Sequence, residues 1–124
     1  MKIFFDGSGW SPKTKKSGYA VVFDDSSKSP IVKWFGEKKT SNEMEYAAFI
    51  EALQKARDGD ELVGDSQLVE RQLKSEYQVK AENLKPLFKE AKALMAAKNV
   101  SVTWVERGQN EAGKLVQKLV RKRH

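Results

Sequence analysis

Thr40-Ser41-Asn42-Glu43-Met44-Glu45-Tyr46-Ala47-Ala48-Phe49-Ile50-Glu51-Ala52-Leu53 is where the chain changes period. Tyr46, Phe49, Ile50 and Leu53 fall at i, i+3, i+4 and i+7, the stripe of a helix that the pattern predicts over Ser41 to Arg57. Ser41 or Asn42 can cap its start, and Asp58-Gly59-Asp60 stops it. What precedes it reads as strand. Lys2 to Asp6 is a short apolar run ending in a turn at Asp6-Gly7-Ser8, and Ser8 to Ser17 is a polar loop. Tyr19 to Phe23 and Ile31 to Phe35 are β-branched and aromatic, with a turn at Asp24 to Pro30 between them.

Beyond the helix, Glu61 to Gly64 predicts a brief strand and Ser66 to about Leu73 a short helix. Ala81 to Ala97 carries a second helical stripe through Leu84, Leu87, Phe88, Ala91 and Met95, with Pro86 near its start, where proline is tolerated. Val100 to Val105 alternates as a strand, and Ala112, Leu115, Val116 and Leu119 mark a final helix. The order βββαβααβα predicts an α/β fold, one five-stranded mixed sheet whose first three strands are antiparallel and the rest parallel. Right-handed crossovers should put helices on both faces. No repeat and no linker divides the chain, so 1–124 is expected to be a single domain.

Composition narrows the chemistry. There is no cysteine, and the only histidine is His124, the last residue. Disulfides, thiolate metal sites, histidine-based nucleophilic triads and multi-histidine zinc sites are thereby excluded. Carboxylates, lysines and hard cations remain. The formal charge of +6 favours polyanionic partners. Lys13, Lys15 and Lys16 in the first loop and Arg121, Lys122 and Arg123 in the tail are candidate phosphate contacts. The opening apolar stretch is too short for a signal peptide or membrane span, so a soluble cytoplasmic protein with no membrane partner is expected.

Three acids need explaining. Asp6 and Asp65 fall at the ends of the first and fourth strands, where sites gather in open α/β sheets. Glu45 shares a helical line with Ala48, Phe49 and Ala52, so a carboxylate heads a mostly apolar stripe, which is costly without a partner or a cation. Taken singly, each acid also reads as a turn or helix cap. Taken together, two strand ends and a helix start converge on one anionic cluster, and divalent hard cations are its natural neutraliser. Two Mg²⁺ ions about 3.5–4 Å apart would activate a water and stabilise the leaving oxygen of a phosphodiester.

Four segments, in order, resemble the signatures of type 1 ribonuclease H: Asp6-Gly7-Ser8, Thr40 to Ala48, Gly64-Asp65-Ser66-Gln67-Leu68-Val69, and Trp104-Val105 with Asn110-Glu111. The resemblance covers essentially the whole chain and implies an enzyme that cuts the RNA strand of RNA/DNA hybrids. It implies that Asp6, Glu45 and Asp65 hold Mg²⁺ or Mn²⁺, and that Gly7, Ser8, Asn42 and Gln67 contact the substrate, the RNA strand being told from DNA by its 2′-hydroxyls. Thr40 resembles the residue that helps hold a DNA-strand phosphate. The short stretch before Ala81 leaves no room for the basic protrusion of some bacterial members, so the chain resembles the compact archaeal or retroviral form. A monomer is expected, and double-stranded RNA stands as a second ligand.

The resemblance breaks at one acid. The family's last helix carries a fourth carboxylate, and here Gly113 or Lys114 occupies its position, depending on which neighbour is aligned. Asn110 projects to the same side as Gly113 and is the candidate substitute through its amide oxygen; a plain helix cap is the alternative. Glu111 points about 200° away, at ~100° per residue. The loop histidine of the family is also missing, with Glu106 to Gln109 in its region. One of two metal ions is then expected to be held weakly. The competing functions are a catalytically silent hybrid- or duplex-binding domain of the same fold, and a DNA nuclease, which the Asn42 and Gln67 segments disfavour.

Overall fold

A computed structural model describes residues 1–121. The expected contacts of Lys122 and Arg123, and His124, lie outside them, as does the side chain of Arg121. Five strands form one sheet: β1 (Lys2–Ser11), β2 (Lys16–Phe23), β3 (Ile31–Phe35), β4 (Glu61–Gly64) and β5 (Ser101–Trp104). Four helices accompany them: α1 (Ser41–Lys55), α2 (Gln67–Leu73), α3 (Lys85–Ala97) and α4 (Glu111–Arg121). The sheet order is β3-β2-β1-β4-β5, with β1, β2 and β3 antiparallel and β4 and β5 parallel to β1. That is the fold class expected. Among the described residues no helix is long and apolar enough to cross a membrane.

Central strand β1 is covered on both sides, which is why its sequence opens as the unbroken run Ile3-Phe4-Phe5 rather than an alternation. Ile3 and Phe5 enter the larger core with Phe49 and Leu53 of α1, Val69 of α2 and Ala91 of α3. Phe4 faces the other way, with Ala20, Val22 and Val32, against Ala112 and Val116 of α4. The Phe5 ring lies 5.0 Å from that of Phe49 and meets Trp104 edge-on at 5.9 Å. Burying such a ring fully contributes about 1.5–3 kcal/mol, and here it also fixes the residue before Asp6.

Several boundaries differ from the expected ones. Strand β1 does not turn at Gly7 but runs on to Ser11, and β2 starts at Lys16, so most of the expected polar loop is ladder. Gly7, expected in a turn, and Gly9, expected in the loop, serve close packing instead. A Cβ at Gly7 would overlap the Met44 backbone, and one at Gly9 would come 2.6 Å from Ser41 Oγ. Helix α1 is capped by Thr40 rather than Ser41 or Asn42: its hydroxyl accepts from Glu43 N–H at 3.1 Å while Glu43 accepts from Thr40 N–H at 2.9 Å. It ends at Lys55, where the Lys98 ammonium donates to the carbonyls of Leu53, Gln54 and Ala56. Helix α3 begins at Lys85, not Ala81, which puts Pro86 in its first turn, where no N–H is needed.

Candidate active site

Parallel pairing of β1 with β4 matches Phe4 to Val63, and two more residues of that register set Asp6 beside Asp65. Glu45 arrives from the start of the second turn of α1, which the side-chain-free Gly7 lets lie directly on β1. One carboxylate oxygen from each of Asp6, Glu45 and Asp65 lies within 4.8 Å of the others.

The cluster is electrostatically unfinished. Glu45 Oε1 accepts the Gly7 N–H at 3.0 Å, while Oε2 is buried with no hydrogen-bond partner. Burial, followed by the charge of Asp6, drives the Glu45 carboxyl well above its usual range. Burial also raises Asp6 to about 6; the neighbouring Glu45 carboxyl opposes the rise, the charge of Asp65 adds to it, and Arg107 opposes it. Glu51, two turns further along the same helix, shows what completion looks like. It too is buried, but it receives the Tyr19 hydroxyl at 3.0 Å and the Lys33 ammonium at 2.7 Å. Those partners outweigh its burial and hold its carboxyl below the usual range. Three carboxylates held close together, two of them raised by burial, around an orphaned oxygen are what a hard divalent cation would satisfy, and the donor set is oxygen only.

Asn110 reaches the cluster, but in a different capacity from the one expected. Its amide nitrogen donates to Asp65 Oδ2 at 2.9 Å and to the Phe5 carbonyl at 2.9 Å, while its oxygen accepts the Ala112 N–H at 3.1 Å and caps α4. A backbone N–H can only donate and a carbonyl only accept, so these two partners fix which end of the amide faces the acids. The expected oxygen ligand is therefore an N–H donor. Gly113 stands over the carboxylates: a Cβ there would lie 3.3 Å from Asp6 Oδ2 and 3.6 Å from Asp65 Oδ2. Lys114, the other aligned candidate, is exposed and pairs with Glu111 at 3.2 Å.

The remaining expected residues line the surroundings. Ser41, Asn42, Gln67 and Trp104 border a cleft of about 670 Å³ that contains Glu45 and Asp65. Gly7 and Ser8 lie on a second groove, and Thr40 is the cap of α1. Sequence reasoning did not single out Arg107, which borders both openings and, among the described residues, is the cation whose charge is felt at Asp6. Its signal was present, as the one fixed positive charge where the family's histidine is missing.

The chain matches the model of the reverse transcriptase-like family over residues 4–120. Among solved structures it is similar to ribonuclease H1 from the halophilic archaeon Halobacterium salinarum, with 26% identity, 98% of this chain and 97% of that one covered, and a TM-score of 0.80. It is similar to LC11 ribonuclease H1 in complex with an RNA/DNA hybrid, with 25% identity, 98% and 96% covered, and a TM-score of 0.77. The N-terminal ribonuclease H domain of rv2228c from Mycobacterium tuberculosis shares the fold at 23% identity, 99% of each chain and a TM-score of 0.71.

Proposed function

The chain belongs to the reverse transcriptase-like family and has the type 1 ribonuclease H fold, and on that premise we propose that it hydrolyses the RNA strand of RNA/DNA hybrids with the help of divalent cations. The observation that carries the reading is the orphaned Glu45 Oε2 inside a triangle of acids on the rim of an open cleft. Asp6, Glu45 and Asp65 would hold two cations, Mg²⁺ or Mn²⁺. Bound there, such ions supply an activated water and stabilise the charge that builds on the leaving oxygen.

The chain's own residues do the rest. The Gly7 N–H keeps one Glu45 oxygen occupied and so turns the other inward. Asn110 orients Asp65. Asn42 and Gln67, which border the cleft, are assigned the 2′-hydroxyls across a minor groove, and Gly7 and Ser8, on the second groove, the same strand. Thr40 is assigned a DNA-strand phosphate, although its hydroxyl is already engaged by Glu43 N–H and has to offer its own hydrogen. One copy of the chain supplies all three acids, so a monomer is proposed. The cysteine-free composition suits a reducing, cytoplasmic setting. Double-stranded RNA, which also displays 2′-hydroxyls, is the second ligand to assay.

A hybrid labelled on its RNA strand tests the reading. Cleavage in Mn²⁺ or Mg²⁺ that stops with chelator and with Asp65→Asn supports it; an intact RNA strand at every metal concentration would sink it. Gly113 over the acids favours one other reading, a domain that binds hybrids without cutting them. Retained hybrid binding without cleavage in the parent protein would establish that one instead.

A further inference from the structure

A second groove, of about 330 Å³, shares Ser41, Glu45 and Arg107 with the main cleft and follows β1 past Asp6 to Trp10. Trp10 is unlike the other aromatic residues of the sheet. It belongs to neither apolar cluster and stays partly exposed on the groove. Its position follows from an irregularity in the ladder. Ser8 pairs with Gly18 and Ser11 with Lys16, so Gly9 and Trp10 together oppose the single residue Ser17. A bulge of this kind bends a strand and re-aims a side chain. The Trp10 N–H donates to the Lys39 carbonyl at 2.9 Å, tying the bulge to the segment that leads into α1. Ser17, opposite, ties the same segment by donating to the Glu37 carbonyl at 2.7 Å. The backbone on both sides is thus pinned. The Lys38 ammonium stands over one face of the Trp10 ring, 4.7 Å from its centre.

An indole on a pinned stretch of backbone, with a mobile-chained cation over its face and on a groove continuous with the proposed phosphodiester-cutting site, is suited to a planar group that carries a phosphate: the base can take the ring face and the phosphate the ammonium. Bases paired inside a hybrid offer a protein only their edges, and a ring face becomes available where a strand is unpaired. We propose that this groove takes an unpaired nucleotide of an RNA strand extending from the hybrid, its base stacked on Trp10 and its phosphate set against Lys38. The assignment rests on the hybrid reading above and adds to it a preference for the junction between hybrid and single strand. Such a contact is indifferent to base identity, because every base has a stacking face.

The test is equilibrium binding by the full chain carrying Asp65→Asn, which keeps the probes intact. The probes are fluorescent hybrids of one length: blunt, with a two-nucleotide 5′ RNA overhang, or with a two-nucleotide 3′ RNA overhang. One overhang should bind about five- to thirty-fold more tightly than the blunt hybrid. Adding Trp10→Phe should keep most of that gain and Trp10→Ala should erase it, while all three proteins bind the blunt hybrid alike. Indole emission should fall on adding the favoured overhang, and this quench should disappear in the Phe variant. No gain from either overhang, or an equal gain in the Ala variant, would overturn the Trp10 assignment alone. Failure to bind even the blunt hybrid would overturn the hybrid reading, and this inference with it.

Discussion

Asn110 and Asp65 are joined by a hydrogen bond of 2.9 Å in which the amide is the donor. A fully buried side chain that is neither acid nor metal ligand therefore sets the orientation of one of the three acids. The same amide holds the Phe5 carbonyl and caps α4, so one residue ties the middle of β1 and the end of β4 to a helix start.

Asn110→Ala should accordingly cost about 2–4 kcal/mol, since it strands a buried carbonyl and removes a helix cap together. Urea unfolding of the metal-free protein measures it; a loss under ~1 kcal/mol would mean that the network relaxes around the gap. Asn110→Asp keeps an acceptor for the Ala112 N–H but turns like charge toward Asp65. Its melting temperature should fall at pH 7.5 and recover with Mn²⁺. A variant as stable as the parent without metal would contradict the amide orientation described above.

Stability of the metal-free protein should depend on pH through the acids themselves. The Asp6 carboxyl is raised from 3.8 to about 6, chiefly by burial and then by the charge of Asp65. The folded state therefore binds a proton that the unfolded state has already released. That contribution is fully present below the ordinary carboxylate range and is lost as pH rises through about 6. Melting temperatures should drop between pH 4.5 and 7, less steeply in Glu45→Gln, which removes the proton that the buried Glu45 carboxyl itself takes up on folding. A profile as steep in Glu45→Gln as in the parent would show that Glu45 takes up no proton on folding.

Gly113 should resist substitution. Alanine in an open helix gains about 1 kcal/mol over glycine, but here its Cβ would press to 3.3 Å from Asp6 Oδ2. Gly113→Ala should be no more stable than the parent. Gly113→Asp should be less stable without metal and should lower the Mn²⁺ concentration needed for half-maximal cleavage. If the metal titration of Gly113→Asp overlays that of the parent, position 113 does not reach the ions.

Lys98 offers a control far from the chemistry. Its ammonium donates to three carbonyls at the end of α1, at 2.6, 3.1 and 2.8 Å. Lys98→Met should cost about 1.5–3 kcal/mol, as expected for hydrogen bonds to a charged group, with metal dependence unchanged. A shifted metal requirement would mean that the far end of α1 communicates with Glu45 at its start.

The helical stripe of Tyr46 to Leu53 and the apolar run before Asp6 made the layered architecture legible, because both report burial directly. Caps and strand ends were less so. Thr40 and Ser41 are chemically equivalent caps, and only the Glu43 carboxylate reaching back selects between them. Gly7 read as turn and Gly9 as loop, since the sequence cannot show that Met44 and Ser41 press against them. The three acids could be grouped, but their convergence depends on the β1–β4 register, a long-range fact. Asn110 was visible as a residue near the site and not as a donor, because an amide offers both ends and spacing does not choose between them.

The extension of β1 beyond Asp6 gives the acid triangle unequal footings. Asp6 lies in mid-strand, paired with Ala20, and the ladder continues through Gly7 and Ser8. Asp65 follows the last residue of β4 and leads directly into the cap of α2. Fraying at a strand end can therefore move Asp65 while Asp6 stays still. The triangle works as a fixed jaw and an adjustable one, and Asn110 is the tether on the adjustable side. If the triangle holds ions as proposed, those of different radius would be accommodated by travel at Asp65, so amide exchange around residues 64–66 should answer to the identity of the metal, while that around residues 5–7 should answer only to unfolding of the sheet.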